Sequence, residues 1–178
     1  LNGQNITPAG MAHFADITTV TELTLAGPNV TDAGLAHFGN HKRLTRLYLG
    51  GTQMTDAGLA HFKGCTEITD LRLDRLSVTA AGFAHFRDCK QLEAVQLWSS
   101  GFGNRSFVQL KDCPRLKRLE IHGQRVTDAG LKHLAGLATL KLLEVRGNAV
   151  TEAGMKKLAG QLPRCRITWR GGVFEPKP

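Results

Sequence analysis

Residues 44–59 read LTRLYLGGTQMTDAGL, residues 116–131 read LKRLEIHGQRVTDAGL, and residues 140–155 read LKLLEVRGNAVTEAGM. The same phrase returns along the whole chain. Its central apolar position is Leu23, Leu47, Leu71, Val95, Leu119, Leu143 and Ile167, a constant step of 24 with no insertion or deletion. A fixed period of this size marks an array of stacked units, because no single unit can bury its own apolar face.

One repeat shows the local logic. Leu47 and Leu49 alternate with polar neighbours and so share one face of a short strand. Gly50 and Gly51 supply a turn. Thr55 is placed to cap a helix, and Asp56 sits in its first turn, where the helix dipole favours an anion. Met54 and Leu59 flank the start as a hydrophobic staple, and Leu59 and Phe62 form the buried stripe. Gly58 costs helix propensity, and its recurrence as Gly34, Gly82, Gly130 and Gly154 implies close packing between helices. Seven strands centred from Leu23 to Ile167 are expected, forming a parallel sheet on an inner face. Seven helical segments of about eight residues, beginning near Ile6, should line the outer face.

The phrase VTDAGLxHF…C…LxxLxL resembles the leucine-rich repeats of the cysteine-containing, ribonuclease-inhibitor-like group. It looks most like arrays abundant in planctomycete-type bacteria. The ending QLPRCRITWRGGVFEP, residues 161–176, is similar to the terminal half-repeat of such arrays. The resemblance implies an α/β fold, a right-handed leucine-rich-repeat solenoid or horseshoe of 24-residue repeats, with a concave parallel sheet and convex short helices. It also implies a role in protein–protein interaction, often beside other domains. Residues 1–178 are expected to form a single leucine-rich repeat domain of about seven repeats, with 164–178 as a capping half-repeat and tail. Leu1 lies 24 before Leu25, inside a strand position, so the chain is expected to be the C-terminal piece of a longer protein. The asparagine-ladder position departs from the pattern: it holds Pro28, Thr52, Leu76, Ser100, Gln124, Asn148 and Gly172, and only Asn148 fits. A strand edge near Leu23 or Ile167 could pair between chains, although Pro163, Arg164, Arg166 and Arg170 discourage that at the C-terminal end.

Composition narrows the classes. Hydrophobic content of 42% with 21% charged residues is ordinary for a globular chain, and no apolar run reaches the length of a membrane span. The net charge of +8 permits acidic partners, but it is spread along the array without a block of like charges. Cys65, Cys89 and Cys113 share one ladder position after each helix. Neighbouring helices pack roughly 8–10 Å apart, beyond the reach of a disulfide, which needs Cα atoms within about 7 Å. The cysteines read as buried free thiols, which favours a reducing compartment, and no C-x-x-C pair supports zinc. His13, His37, His61, His85 and His133 form another ladder, best explained by repeat duplication rather than metal binding. No catalytic motif occurs. His122 with Asp74 and Glu120 can be drawn as an acid–base cluster, yet it lacks a nucleophile. No enzyme activity, cofactor or metal is expected.

The alternation assigns faces. Three columns point out of the sheet: Glu22, Arg46, Asp70, Ala94, Arg118, Leu142, Arg166; Thr24, Tyr48, Arg72, Gln96, Glu120, Glu144, Thr168; and Ala26, Gly50, Asp74, Trp98, His122, Arg146, Arg170. These vary from repeat to repeat, while the core columns hardly change. With the two positions that continue the strands, they carry Arg46, Arg72, Arg75, Arg118, Arg125, Arg146, Arg166 and Arg170, and no lysine. Arg, Trp and Tyr dominate binding hot spots. A partner-binding site is therefore expected at Arg46, Tyr48, Arg72, Asp74, Trp98, Arg118, Glu120, His122 and Arg146, with a protein as partner. Asp70, Asp74, Glu120 and Glu144 interleave with the arginines and weigh against nucleic acid; the alternatives are anionic-polymer or nucleic-acid binding through the basic surface, or a structural spacer role. Residues 98–116 break the phrase. There Asn104 is a candidate cap, Trp98 stands exposed at the strand end, and Phe102 and Phe107 repair the core.

Overall fold

A sheet running the length of the chain organises the computed structural model, which describes residues 2–4 (backbone only), 6–51, 53–98, 101–123, 125–147 and 149–177. The strand position at Leu1 and four asparagine-ladder positions, Thr52, Ser100, Gln124 and Asn148, lie outside the described residues. The strands are β1 (Asn2–Gln4), β2 (Glu22–Ala26), β3 (Arg46–Gly50), β4 (Asp70–Asp74), β5 (Ala94–Trp98), β6 (Arg118–His122), β7 (Leu142–Arg146), β8 (Arg166–Trp169) and β9 (Gly172–Phe174), paired in sequence order. β1 to β8 run parallel and β9 returns antiparallel. From β2 to β8 every residue faces the one 24 further on, as in Leu47↔Leu71 and Leu71↔Val95. The fold is an α/β leucine-rich-repeat horseshoe.

Two strands exceed the seven expected, and they cover the edges thought open near Leu23 and Ile167: β1 pairs with β2, and β9 with β8. The first interval is also shorter than the period. Gly3 lies opposite Leu25, a separation of 22 and not 24. The chain has two residues fewer from Gly3 to the cap Thr7 than from Leu25 to the cap Thr31.

The inward columns are the core. Leu23, Leu47, Val95, Leu119, Leu143 and Ile167 are fully buried, as are Phe38 and Phe62 from the helical side. Phe102 and Phe107 fill the irregular repeat, and Phe102 meets Phe83 edge-on at 5.9 Å. The helical segments are α1 (Pro8–Ala12), α2 (Asp32–Leu35), α3 (Asp56–Ala60), α4 (Ala80–Phe83), a 3-10 helix at Asn104–Asp112, α5 (Asp128–Leu131) and α6 (Glu152–Gln161). Most are far shorter than the eight residues expected, and α2 and α4 tighten directly into 3-10 turns at Ala36–Phe38 and Ala84–Phe86. Strands repeat every 4.7–4.9 Å or so, whereas packed helices need roughly 8–10 Å. Short, tight segments on the outer side of a curved sheet reconcile the two spacings.

The cysteine column is buried and its thiols are free. Cys89 Sγ donates to the Cys65 carbonyl at 3.3 Å, and Cys65 Sγ to the His41 carbonyl at 3.5 Å. Burial pushes the Cys89 thiol up to about 12 and those of Cys113 and Cys165 to about 11, so they stay protonated. His41 heads the same column, 24 before Cys65. It is fully buried, and its Nε2 meets the Phe14 carbonyl at 3.1 Å.

The recurrent Asp does more than answer the dipole. Asp32 accepts from the Thr55 N–H at 2.8 Å and the Thr55 hydroxyl at 2.7 Å, reaching across to the next repeat's helix cap. Asp56 does the same with Thr79, and Asp128 with Thr151. The threonine hydroxyl meanwhile accepts from its own first turn, as Thr79 does from the Ala81 N–H at 3.2 Å. The recurrent glycine makes room for this clamp: a Cβ on Gly58 would collide with the Asp32 carboxylate, and one on Gly82 with that of Asp56. Asn104 was expected to cap a helix, but the cap is Gly103, whose N–H donates to Ser106 Oγ. Asn104 instead stands in the clamp column. Its Oδ1 accepts from the Thr127 N–H and its Nδ2 donates to the Thr127 hydroxyl, each at 2.9 Å.

Losing a threonine cap costs about 1 kcal/mol, so Asp56→Ala and Thr79→Ala should each destabilise by roughly that amount. Because both remove one clamp, the double variant should cost much less than the sum. Urea unfolding of all four proteins measures the cycle, and simple additivity would rule the clamp out. The two Thr151 bonds, side chain first, hold the Asp128 carboxyl below its ordinary range. A folded pKa below the unfolded value of about 3.9 gives stability that is full above about pH 4 and lost as pH falls through the folded value. Asp128→Asn, which copies the Asn104 clamp, should therefore match the parent near neutrality and lose less stability on acidification. Thermal melts from neutral to strongly acidic pH test this, and parallel acid losses would contradict it.

Candidate functional site on the concave sheet face

The outward columns converge at the strand ends of β4 to β7. Asp74 Oδ2 accepts from Arg72 Nε at 2.9 Å and Nη2 at 2.6 Å. The guanidinium thus held lies over the Trp98 ring, 4.6 Å from its centroid. The other face of this cluster is His122, stacked with Trp98 at 4.8 Å and 6° between planes. His122 Nε2 meets Glu144 Oε1 at 3.0 Å, and Arg146 Nε reaches the same oxygen at 2.6 Å. Six side chains on four strands therefore form one unbroken chain of contacts. A cation over an indole contributes about 0.5–2 kcal/mol, and a stacked ring pair about 0.5–1.5 kcal/mol.

Trp98 is consequently half-buried, where an exposed ring was expected. Its Nε1–H and the Asp74 Oδ1 are both shielded from solvent and have no hydrogen-bond partner among the described residues. An unmet buried donor or acceptor costs about 1–3 kcal/mol.

Of the expected site residues, Arg72, Asp74, Trp98, His122 and Arg146 come together. Arg46 lies apart, bonded to Glu22 at 2.7 Å and 4.0 Å from Asp70. Glu120 accepts from Gln96 at 3.0 Å rather than joining His122, so the drawn acid–base cluster does not form. Arg118 is exposed and makes no ion pair among the described residues. Tyr48 lines a hollow of about 250 Å³ with Ala26, Gly50, Arg72, Asp74 and Arg75.

Two members were left out of the expected site. Glu144 was legible only as an interleaved acid, and Arg75 only as a strand-continuing arginine. Arg75 is the one non-glycine residue with positive φ among the described residues, at 48°. The same turn position carries glycine in other repeats, as at Gly27, Gly51 and Gly147, each with positive φ. A side chain there costs about 1–2 kcal/mol. The turn is fixed by the Arg75 N–H donating to the Trp98 carbonyl at 2.7 Å, as Gly51 donates to Asp74.

The comparisons fit this geometry. Residues 136–159 match the family described as "Leucine Rich repeat". Among solved structures, the chain is similar to an internalin C2 from Listeria monocytogenes, with 19% identity over 91% of this chain and 73% of that one and a TM-score of 0.58. That likeness concerns the fold. A search of curated proteins returns no match. Repeat phrase, sheet and family model together give the chain the leucine-rich repeat fold.

The stack itself is testable on stability alone. Arg72→Ala, Trp98→Ala and the double variant form a cycle whose coupling should be about 0.5–2 kcal/mol. A coupling indistinguishable from zero would mean that the two side chains do not meet in solution.

Proposed function

We propose that this chain is a non-enzymatic interaction module that takes a protein partner on its concave sheet face. The contact would be centred on Arg72, Asp74, Trp98 and His122, with Arg46, Tyr48, Arg118, Glu120 and Arg146 around them. The observation that carries the reading is the Arg72–Trp98–His122 stack. Asp74 holds Arg72 and Glu144 holds His122, both in contact with the Trp98 ring, so docking on this preformed arrangement would forfeit less rotamer entropy than docking on free side chains. The residue types are those that supply most binding energy in protein interfaces. The leucine-rich repeat fold is a typical protein-interaction scaffold, and a solenoid presents an extended surface of this kind.

A polyanion is the competing ligand, favoured by the +8 net charge. The two differ in salt response, since polyanion binding falls steeply with ionic strength. Capture from a lysate of the source cells should recover a protein partner that survives nuclease treatment and moderate salt. The Arg72→Ala/Trp98→Ala double variant, checked by its melting curve to be folded, should lose it. Equal capture by parent and double variant would exclude the concave stack as the docking centre.

A further inference from the structure

We propose that the hollow beside Tyr48 and Arg75 receives a carboxylate side chain from an acidic segment of the protein partner. This rests on the concave face being the docking surface and adds to it the chemistry of what docks. The hollow exists because the last outward column is small here: Ala26 and Gly50 line it where later repeats carry Trp98 and His122. Around them stand one phenol, two guanidinium groups and the Asp74 carboxylate, whose charge is met by Arg72. Arg72 is already engaged by Asp74 and Trp98. Arg75 is exposed and makes no ion pair among the described residues, and the Tyr48 hydroxyl has no partner among them. A planar guanidinium with a neighbouring hydroxyl matches the two oxygens of a carboxylate.

Two independent observations support an acidic occupant. The first is the backbone. Arg75 occupies a left-handed turn position where Gly27, Gly51 and Gly147 stand in other repeats. Glycine would relieve that conformation, so the arginine destabilises the fold and supplies only its side chain in return. The second is charge. The carboxylates of this face are engaged within the molecule: Glu22 by Arg46, Asp70 by Thr69, Asp74 by Arg72, Glu120 by Gln96, and Glu144 by His122 and Arg146. Arg75, Arg118 and Arg125, in contrast, are exposed and form no ion pair among the described residues. The face therefore pairs its anions within the molecule and leaves cations unpaired among the described residues, which complements an acidic surface.

The experiment uses N-acetyl-glutamate methylamide as probe, its glutamine analogue as control, and amide NMR of the whole chain as readout. Saturable shifts at Gly50, Gly51 and Arg75 are expected with the glutamate probe and none with the glutamine analogue. Arg75→Gly should weaken the probe by roughly tenfold or more, the loss of a charge-assisted pair, while raising Tm by about 2–4 °C. That rise shows the loss is not misfolding. Tyr48→Phe should weaken the probe by a smaller factor. Equal shifts from both probes, or shifts unchanged in Arg75→Gly, would overturn the proposal. So would a single-stranded DNA oligonucleotide that shifts these amides while the glutamate probe does not. Partner capture separates the two readings. If Arg72→Ala/Trp98→Ala loses the partner and Arg75→Gly retains it fully, the carboxylate site falls and the docking face stands. If the double variant retains the partner, both fall.

Discussion

Strands in a sheet sit about 4.8 Å apart, and helices cannot approach one another so closely. Every repeat of this chain has to satisfy both spacings at once. The sheet enforces strict pairing, so that from β2 to β8 each residue meets the one 24 further on. The helical side then gives way: α1 to α5 have only four or five residues, α2 and α4 tighten into 3-10 turns, and the Asn104–Asp112 segment is 3-10 throughout. A column of residues is thereby fixed in space as well as in sequence. The buried thiols, the close-approach glycines and the aligned leucines follow from that one constraint.

The inter-repeat clamp shows how tightly neighbouring columns depend on each other. Asp56 holds Thr79, and the clamp column then holds Ala80 instead of an acid. One repeat later the cap is Gly103, not threonine. Acid and cap are lost together, because a threonine without the preceding acid keeps only its local cap bond. The next clamp resumes with Asn104 and Thr127, so geometry matters here more than charge. The interruption falls beside the strand that bears Trp98. That repeat departs most from the phrase, and its segment is 3-10 throughout.

Much of this was legible from the residues. Alternation with a period of two separated Leu47 and Leu49 from Arg46 and Tyr48, and each lies on the side it implied. The helix lengths were not legible, since cap and stripe residues mark where a helix starts but not the pitch it must match. The first interval, two residues shorter, leaves no mark in the apolar pattern. On the surface, the columns named the right neighbourhood but not the pairs. Arg72 turns along its own strand to Asp74, two residues away, while His122 crosses diagonally to Glu144 instead of Glu120. A step of 24 identifies lateral neighbours and is silent on which diagonal a side chain takes. Arg75 was hidden for another reason: its role depends on a positive φ, a property of the turn rather than of residue type.

A repeat array can carry such local costs because its stability is nearly a sum of neighbouring contacts. Strain at Arg75 and the unmet polar atoms of Trp98 and Asp74 lie within two adjacent repeats. The repeats around them are held by unbroken columns of buried aliphatic side chains and by clamps on both sides, at Asp56 and Asn104. The costs are confined to one stretch of one face, next to the stack that is already ordered. In a drifting, unused surface, glycine would be expected to return at position 75, since it relieves the turn at no loss of packing. Coincidence of backbone strain, an open hollow and an arginine with no ion pair among the described residues is what distinguishes this stretch from the rest of the solvated sheet.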